Sequence, residues 1–284
     1  MKQPLTVSIV IPAYNEADTI YDCLSAISRQ TARPYEVILV DNNSTDATVT
    51  IAQQFPFVRV LRERRQGVVH ARNTAFSQAK GEIIGRIDAD TIIDTDWVET
   101  VQNLFTDSTH DAISGSVTYH NVPFARFFSV TDRVCRTYLG LALGKEYAMQ
   151  GANLALRAEA WRSTKRQMCS SSGMHEDFDL SIHLREGGYS TLYTPSLKAS
   201  VTFRQAGSQW KDYLYYVLLN PGTYAQHGVR RRVVMYPVIG LALISYPLLH
   251  VLHRGYDKSK DTFSFKKVFM STFVSRVNPA TFVD

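Results

Sequence analysis

Asp88 and Asp90, two aspartates separated by one residue, are the pair in this sequence that most clearly indicates a reactive or metal-binding site. They follow the short apolar stretch 83–87, which is too brief for a helix and rich in β-branched residues, so we predict a buried strand with both carboxylates at its carboxyl end. A hard divalent cation can stabilise two such close charges, because Mg²⁺ and Mn²⁺ prefer oxygen ligands and often take one or two carboxylates together with phosphate oxygens. The alternative is an acidic turn in water, with Thr91 or Asp94 capping the next helix.

A second acidic cluster lies far along the chain, where "HEDFDLSIHLREGGY" contains Glu176, Asp177 and Asp179. A carboxylate beside a bound sugar can act as a general base on an acceptor hydroxyl. The alternative is the acidic N-terminus of a helix, which the helix dipole favours. Apolar residues from 178 to 184 alternate with the period of a strand, whereas 185–188 resembles a helix end, so periodicity leaves the local structure open.

A third carboxylate, Asp41, ends an apolar run and should be fixed and partly buried. Such a group suits the N–H edge of a base or a ribose hydroxyl. The alternative is a helix-capping role, for which residues 44–46 compete. Arg72 and Asn73 lie on a predicted helix after the arginine-rich loop "RERRQG"; they can reach a nucleotide or pair with Asp88, or belong to a solvated basic face.

The elements that must position these groups alternate between strand and helix through the first half of the chain. The strand patterns are "VSIVIPA", "YEVILV", "FVRVL" and "EIIGRID", and the third intervening helix is predicted to end at a Gly81 C-cap. This alternation predicts an α/β fold with a mostly parallel sheet and helices on both faces. The polar segments "PAYNE", "DNNSTD" and "DADT" then meet at the carboxyl edge, where open α/β sheets bind ligands.

Composition narrows the class of protein. The chain has 284 residues, of which 45% are apolar and 20% charged, enough for a sizeable core. Its cysteines, Cys23, Cys135 and Cys169, form neither a disulfide framework nor a C-x-x-C site, which fits a reducing compartment. The apolar run at the N-terminus is too short for a secretion signal, so we expect none.

The net charge of +5 is concentrated at the C-terminal end, since residues 203–284 carry +7 and residues 1–202 carry −2. No zinc-finger, recognition-helix or RNP-like pattern accompanies this charge, so we expect no nucleic-acid partner. The sequence also lacks a P-loop and a G-x-G-x-x-G after the first strand, so a phosphate-bearing ligand would be neutralised mainly by a metal.

Taken in order, five segments resemble the family-2 glycosyltransferases, which have the GT-A nucleotide-sugar-binding fold. The segments are "VSIVIPAYNE", "VILVDNNSTDAT", "GVVHARNTAFSQAKGEIIGRIDAD", "GANLALR" and "HEDFDLSIHLREGGY". They span about residues 6 to 203, and although each is weak alone, the ordered set is highly specific. In that family the last segment is a helix, so the resemblance favours a helix there.

The resemblance implies roles for individual residues. The pocket for the base and ribose of the nucleotide would be lined by Pro12, Tyr14, Glu16, Asp41, Asn43 and Arg72. Asp88 and Asp90 would form the D-x-D motif that binds Mn²⁺ or Mg²⁺, with Asp90 in direct contact and Asp88 facing the ribose or the metal. Asp177 would be the general base with Glu176 beside it, and Gly151 and Asn153 would shape the donor and acceptor pocket.

The implied reaction is a single displacement with inversion at the anomeric carbon, from a nucleotide-diphosphate sugar, with UDP as the default nucleotide. Processive members of the family carry a Q-x-x-R-W motif, and here the corresponding "FRQAGSQW" lacks the arginine at the right spacing. We therefore expect transfer of one sugar. The rival interpretations are a catalytically inactive, membrane-associated protein that keeps the fold, and a sugar-nucleotide pyrophosphorylase, whose glycine- and arginine-rich phosphate loop is missing.

The C-terminal segment 233–252 is nearly all apolar over about the length a bilayer span needs. Basic residues flank it on both sides, at 230–232 and from Arg254 onward, including Lys258 and Lys260, and it contains Pro237 and Pro247. These features favour a re-entrant or interfacial hairpin at the cytoplasmic face of a membrane, with a buried helical pair as the alternative. We expect a GT-A domain over 1–208, a membrane-associated segment over 209–284, and a lipid-linked or glycan acceptor.

Overall fold

The computed structural model describes residues 3–107, 109–120, 122–144, 149–169, 173–202, 207–257 and 262–270. Its main feature is an eight-stranded sheet in the order β3-β2-β1-β4-β7-β6-β8-β5. β7 and β5 run antiparallel to their neighbours and the other adjacent pairs are parallel, which confirms the predicted mostly parallel α/β sheet. Its strands are β1 (Val7–Ala13), β2 (Glu36–Asp41), β3 (Val58–Arg62), β4 (Ile83–Ile87), β5 (Ile92–Ile93), β6 (Ala112–His120), β7 (Asn153–Arg157) and β8 (Thr191–Thr202).

Helices cover both faces of this sheet. They are α1 (Ile20–Ser28), α2 (Thr48–Ala52), α3 (Val68–Gln78), α4 (Trp97–Asp107), α5 (Ala125–Leu143), α6 (Ala158–Thr164), α7 (Glu176–Glu186), α8 (Trp210–Gln226), α9 (Tyr236–Gly255) and α10 (Phe265–Met270). A short β9–β10 hairpin (Tyr256–Asp257 with Thr262–Phe263) follows α9. Alternate residues of β1 enter two separate cores, Ile9 with α1 and α4 and Val10 with α3, α6 and α7, so the strand is apolar on both sides.

The third helix does not end at Gly81, so that prediction is wrong. α3 stops at Gln78, with Ala79 at its C-cap in an extended conformation. Gly81 instead allows the turn to approach β1 closely, because a Cβ there would lie 2.8 Å from the backbone nitrogen and from Oγ of Ser8. Its own N–H donates to Ser8 Oγ at 2.8 Å.

The segment that follows His175 is the helix α7, as the resemblance implied. Its strand-like alternation arises because the helix is buried on more than one side. Leu180 and Leu184 pack into the core beneath the sheet, while Ile182 packs against α8 and α9. A helix enclosed in this way has no clean amphipathic period.

The C-terminal apolar segment is one helix, so the predicted hairpin is wrong. α9 runs unbroken over Tyr236–Gly255, with Pro237 in its first turn, where a missing N–H costs nothing, and Pro247 inside. Together with the preceding 3₁₀ turn, the stretch Arg230–Gly255 is long and apolar enough to cross a membrane, and 22% of its most apolar window is buried. Residues 203–206, Lys258, Lys260 and 271–284, on which other predictions rest, lie outside the described residues.

Candidate active site

Three polar loops meet at the carboxyl edge of the sheet, because β2, β1 and β4 are neighbours. The loop after β1 is bonded to the loop after β2: Asn15 N–H donates to Ser44 Oγ at 3.0 Å, and Glu16 N–H donates to Thr48 Oγ1 at 2.7 Å. The loop after β4 begins at Asp88, whose N–H donates to Thr91 Oγ1 at 3.2 Å. The convergence predicted from the parallel β-α alternation is therefore present.

The residues expected to line a nucleotide pocket lie on these loops. Pro12 and Tyr14 are half-buried, and Glu16 and Asp41 are each 5% exposed. Asp41 Oδ1 accepts the Ser44 N–H at 3.0 Å, so its carboxylate also makes a capping contact, the alternative role given above. Asn43 has a positive φ of 64° and donates to Arg64 O and Gln66 Oε1, which fixes this loop to the one after β3. Contact of these residues with a nucleotide stays a prediction.

Arg86 is the centre of the site, although we did not single it out from the sequence. It lies on β4, and its side chain is 3% exposed. Its guanidinium pairs with Asp177 Oδ1, with Glu176 Oε1 at 3.0 Å and with Asp88 Oδ1 at 3.0 Å. One buried cation thus joins a carboxylate of the D-x-D motif to both carboxylates at the start of α7. The available signal was a charged residue in the middle of the otherwise apolar strand "IIGRI".

Asp177 is held at both oxygens. Oδ1 pairs with Arg86, and Oδ2 accepts the backbone N–H of Gly151 at 2.8 Å. A side chain at position 151 would overlap this arrangement, because a Cβ would lie 1.4 Å from Arg86 Nη1 and 2.3 Å from Asp177 Oδ1. A glycine is therefore required at position 151, where the loop before β7 approaches Asp177.

Glu176 is buried among cations. Burial opposes its ionisation, but Arg86, His175 and Arg72 outweigh that cost and lower the pKa of Glu176 below its ordinary value of 4.5. Arg72 is fully buried and donates through Nη1 to the carbonyl oxygen of Glu176 at 2.6 Å. Burial lowers the pKa of Arg72 to about 10, which leaves it charged at neutral pH. In this structure Arg72 supports the start of α7, and its contact with a nucleotide stays a prediction.

His175 directly precedes Glu176 and Asp177, and it was also not predicted as a site residue from the sequence. Its ring stacks on Phe178 at 4.7 Å, and its Nδ1 lies 3.9 Å from both Glu176 Oε2 and Asp177 Oδ2. Burial is the main cause that lowers the pKa of His175 below 6.5, so the imidazole is neutral at pH 7. Nδ1 is buried and has no hydrogen-bond partner among the residues that the structure describes.

Asn153, expected beside the donor and acceptor, is the first residue of β7 and is fully buried. Its Oδ1 accepts from Trp97 Nε1 at 2.8 Å, and its Nδ2 donates to the carbonyls of Ser116 and Leu197. These bonds connect β7 to α4, β6 and β8 beneath the site. A contact between Asn153 and a sugar stays a prediction.

The D-x-D carboxylates are suited to a divalent cation. Only one oxygen of Asp88 pairs with Arg86, and 39% of its side chain is exposed at the open edge of the sheet. Asp90, two residues on, is 6% exposed. A carboxylate that is fixed on one side and open on the other is the kind of oxygen donor that Mg²⁺ and Mn²⁺ take.

Comparison with known proteins identifies the family. The model of glycosyl transferase family 2 matches residues 8–170, more than half of the chain. The chain belongs to this family. The match runs from the start of β1 past α6, so it includes the D-x-D edge, Arg86 and Gly151, and α7 lies beyond it.

Relatives and solved structures agree with this assignment. The chain is 37% identical over 124 residues to glycosyltransferase AglE of Haloferax volcanii, a match covering 40% of this chain and 41% of that protein. It is 37% identical over 103 residues to the chondroitin synthase of Escherichia coli, covering 35% of this chain and 15% of the synthase. The matches thus span less than half the length of these relatives.

Among solved structures, the mannosyltransferase PcManGT from Pyrobaculum calidifontis, in complex with GDP-Man and Mn²⁺, superposes with a TM-score of 0.60 at 20% identity. That match covers 89% of this chain and 74% of the mannosyltransferase. The S. aureus TarS 1-349 complex with UDP-GlcNAc gives 0.55 at 17% identity over 76% of this chain and 66% of its own. These likenesses confirm the GT-A fold.

Proposed function

We propose that the chain is an inverting glycosyltransferase that moves one sugar from a nucleotide-diphosphate sugar to a hydroxyl of a lipid-linked or cell-envelope glycan. The carrying observation is the Arg86 guanidinium, which joins Asp88 of the D-x-D edge to Glu176 and Asp177. A donor held at Asp88 and an acceptor beside Asp177 would then both lie close to one fixed cation and to each other, and a single displacement requires that the two reactants are held in proximity.

In this mechanism Asp177 takes the proton of the acceptor hydroxyl as its oxygen attacks the anomeric carbon. The ion pair with Arg86 fixes the direction of the Asp177 carboxylate. Although both oxygens of Asp177 are engaged, each carboxylate oxygen has a second lone pair, so one remains for the acceptor. Two residues lie next to Asp177: Glu176, which its neighbours keep ionised, and His175, which is neutral at pH 7.

Asp88 and Asp90 are the residues that would hold Mn²⁺ or Mg²⁺. When bound, such an ion acts as a Lewis acid on the departing diphosphate. The loops after β1 and β2 would receive the base and ribose, with Asp41 as the acceptor for an N–H or a hydroxyl. UDP is the expected nucleotide. The two structural neighbours are in complex with the nucleotide sugars GDP-Man and UDP-GlcNAc, so GDP is tested beside UDP.

A membrane surface as the place of action is supported by exposed apolar side chains on α5 and α9. On α5 they recur every three or four residues and so share one helix face, and on α9 Ile244 is 82% and Leu248 63% exposed. Basic residues at 230–232 border α9. An apolar helix face bordered by arginines fits insertion into the headgroup region of an anionic, cytoplasm-facing leaflet.

The test of the proposed activity is isothermal titration with UDP, GDP and dTDP, each with and without Mn²⁺. The chain should bind one nucleotide in a metal-dependent way, and Asp90→Ala should lose the metal dependence. Asp22→Ala, which removes an exposed carboxylate on α1, is the matched control and should titrate like the parent chain. Failure of all three nucleotides to bind would favour the inactive, fold-retaining alternative.

The membrane proposal has a separate test. Flotation with vesicles of phosphatidylglycerol should carry the chain upward more than vesicles of phosphatidylcholine, and Ile244→Asp should weaken that binding. Tyr35→Asp replaces another exposed apolar side chain, 59% exposed and far from α9 in sequence, and should bind like the parent. Equal recovery in the soluble fraction with both lipids would contradict the proposal.

A further inference from the structure

Four side chains converge on the side of α7 away from Asp177. They are Cys169 from the segment after α6, Asp179 and His183 from α7, and His227 from the residue after α8. One ligand atom from each lies within 4.8 Å of all the others. We propose that these four residues bind a structural zinc ion at a site separate from the D-x-D motif, and this proposal does not rest on the proposed transferase activity.

Three of the six distances between the proposed ligand atoms are close to the edges of a tetrahedral zinc site, and the other three are within 4.8 Å. With Zn–N and Zn–O bonds of about 2.0–2.1 Å and a Zn–S bond of about 2.3 Å, the edges of a tetrahedral site are roughly 3.3 Å between N and O atoms and 3.6 Å between S and N. Here Asp179 Oδ1 lies 3.3 Å from His183 Nε2 and 3.0 Å from His227 Nε2. Cys169 Sγ lies 3.7 Å from His183 Nε2.

The outer contacts of the cluster also fit a metal site. His183 presents Nε2 to the cluster and places Nδ1 3.0 Å from Glu186 Oε2. A carboxylate that accepts the second ring N–H of a histidine is the usual support for a zinc ligand, because it fixes the tautomer and the ring orientation. Asp179 is fixed as well, since its Oδ2 accepts the backbone N–H of Cys169 at 3.0 Å.

The electrostatics of the cluster favour a bound cation. Asp179 is 1% exposed, and its ion-pair contacts in the described residues are the two imidazoles, which carry charge only when protonated. Buried charges in proteins are usually paired or coordinate a metal.

The donor set selects the metal and its role. One sulfur, two imidazoles and one carboxylate suit zinc, whereas Mg²⁺ and Mn²⁺ prefer oxygen. Four protein ligands leave no open position for substrate, which is the pattern of a structural site. The ion would tie the segment before α7 and the end of α8 to the first turns of α7, and so hold Glu176 and Asp177 in position. The alternative is a metal-free network in which both histidines hydrogen-bond Asp179.

The first arm of the test is metal analysis of the full chain after exposure to zinc and removal of excess. The parent chain should retain about one zinc per chain. Cys169→Ser and His227→Gln should lose it, whereas Cys135→Ser, which changes a cysteine on α5, should keep it. Asp90→Ala should also keep zinc, which separates this site from the D-x-D edge. A folded parent chain without bound zinc would overturn the proposal in favour of the hydrogen-bonded network.

The second arm uses Co²⁺ in the unmutated chain, so it does not depend on the folding of any variant. Cobalt in this site should give a thiolate-to-metal charge-transfer band and the intense visible bands of a tetrahedral ion. Zinc should then displace it and abolish both signals. Absence of the charge-transfer band in a folded chain would exclude Cys169 as a ligand and contradict the site as proposed.

Discussion

Asp177 and Asp179 lie two residues apart on α7, are both almost completely buried, and face opposite environments. Residues with this spacing point about 200° apart around a helix. Asp177 meets the guanidinium of Arg86 and the N–H of Gly151. Asp179 meets two imidazoles and the backbone N–H of Cys169.

The difference between the two environments concerns the source of the balancing charge. At Asp177 the balancing charge is the permanent cation of Arg86 on β4. The Asp177 carboxylate is therefore oriented, and it can still accept one more hydrogen bond. At Asp179 the direct ion-pair contacts among the described residues are two imidazoles, which are neutral without a proton, and the permanent charge of buried Arg72 acts on Asp179 from a longer distance. We infer that the first arrangement serves proton transfer and the second serves structural cohesion, and the variants below separate these roles.

The largest effect should come from Asp177→Asn, which keeps the shape of the side chain and removes its basicity. Transfer should fall by about 10²–10⁴-fold, the usual contribution of a general base. Nucleotide affinity and zinc content should remain at the parent level. Initial rates with a sugar donor of the nucleotide identified by titration measure the loss, with Asp22→Asn as control. A variant that retains most of the activity would assign the base elsewhere.

Arg86→Met should act on stability as well as on rate. It leaves Asp88, Glu176 and Asp177 without their shared cation, and breaking a buried ion pair in this way costs about 3–5 kcal/mol. Arg86→Lys keeps the charge but not the planar fork, so its loss should be smaller. Urea unfolding of both variants checks the order, and equal stability of Arg86→Met and the parent would contradict a central role for this cation.

Gly151→Ala should distort the same group by steric conflict. The new Cβ displaces Arg86 Nη1 and Asp177 Oδ1, and overpacking of this kind costs roughly 1–3 kcal/mol. The matched control is Gly140→Ala on α5, where an added Cβ meets nothing within 4 Å. That change should stabilise the chain by up to about 1 kcal/mol through helix propensity. Opposite signs of the two shifts in thermal unfolding are expected; a neutral Gly151→Ala would show that the site can relax.

The smallest effect concerns acid pH. The pKa of Glu176 is lower in the folded chain than its ordinary value of 4.5, so ionised Glu176 contributes stability at pH 7 that is lost as the pH falls through the folded pKa. Glu176→Gln should therefore be less stable than the parent at pH 7, and the difference in unfolding free energy should narrow as the pH falls below 4.5. Unfolding free energies measured from pH 7 to pH 3 check this, and a constant gap would mean that Glu176 acts through packing alone.

The sequence was sufficient to predict which loops meet at the carboxyl edge of the sheet, but not the contacts that α7 makes with the sheet and with the segments around it. The β-α alternation predicts parallel strands whose carboxyl ends share one edge, so Asp41 and Asp88 could be placed at the same edge from pattern alone. Arg86 could not be connected to Asp177, because their contact joins residues 91 positions apart through the packing of α7 on the sheet. The segments that hold Cys169 and His227 carry no recognisable metal spacing, since only Asp179 and His183 share a helix.

The helical segments show a second limit. Prolines and basic flanks predicted a hairpin over 233–252, yet α9 tolerates both prolines because one lies in its first turn and the other interrupts a single N–H position. Periodicity also failed at α7, where burial on several sides replaces the helical period with apparent alternation. In both segments tertiary packing decides the outcome over local pattern.

The configuration of the released sugar shows whether the site containing Asp177 and Arg86 carries out a single displacement. The chain should be incubated with the α-linked nucleotide sugar whose nucleotide it binds, with water as the acceptor, and the first-formed anomer recorded by NMR before mutarotation. We predict the β-anomer as the initial product. Release of the α-anomer would contradict the inverting mechanism and the role assigned to Asp177.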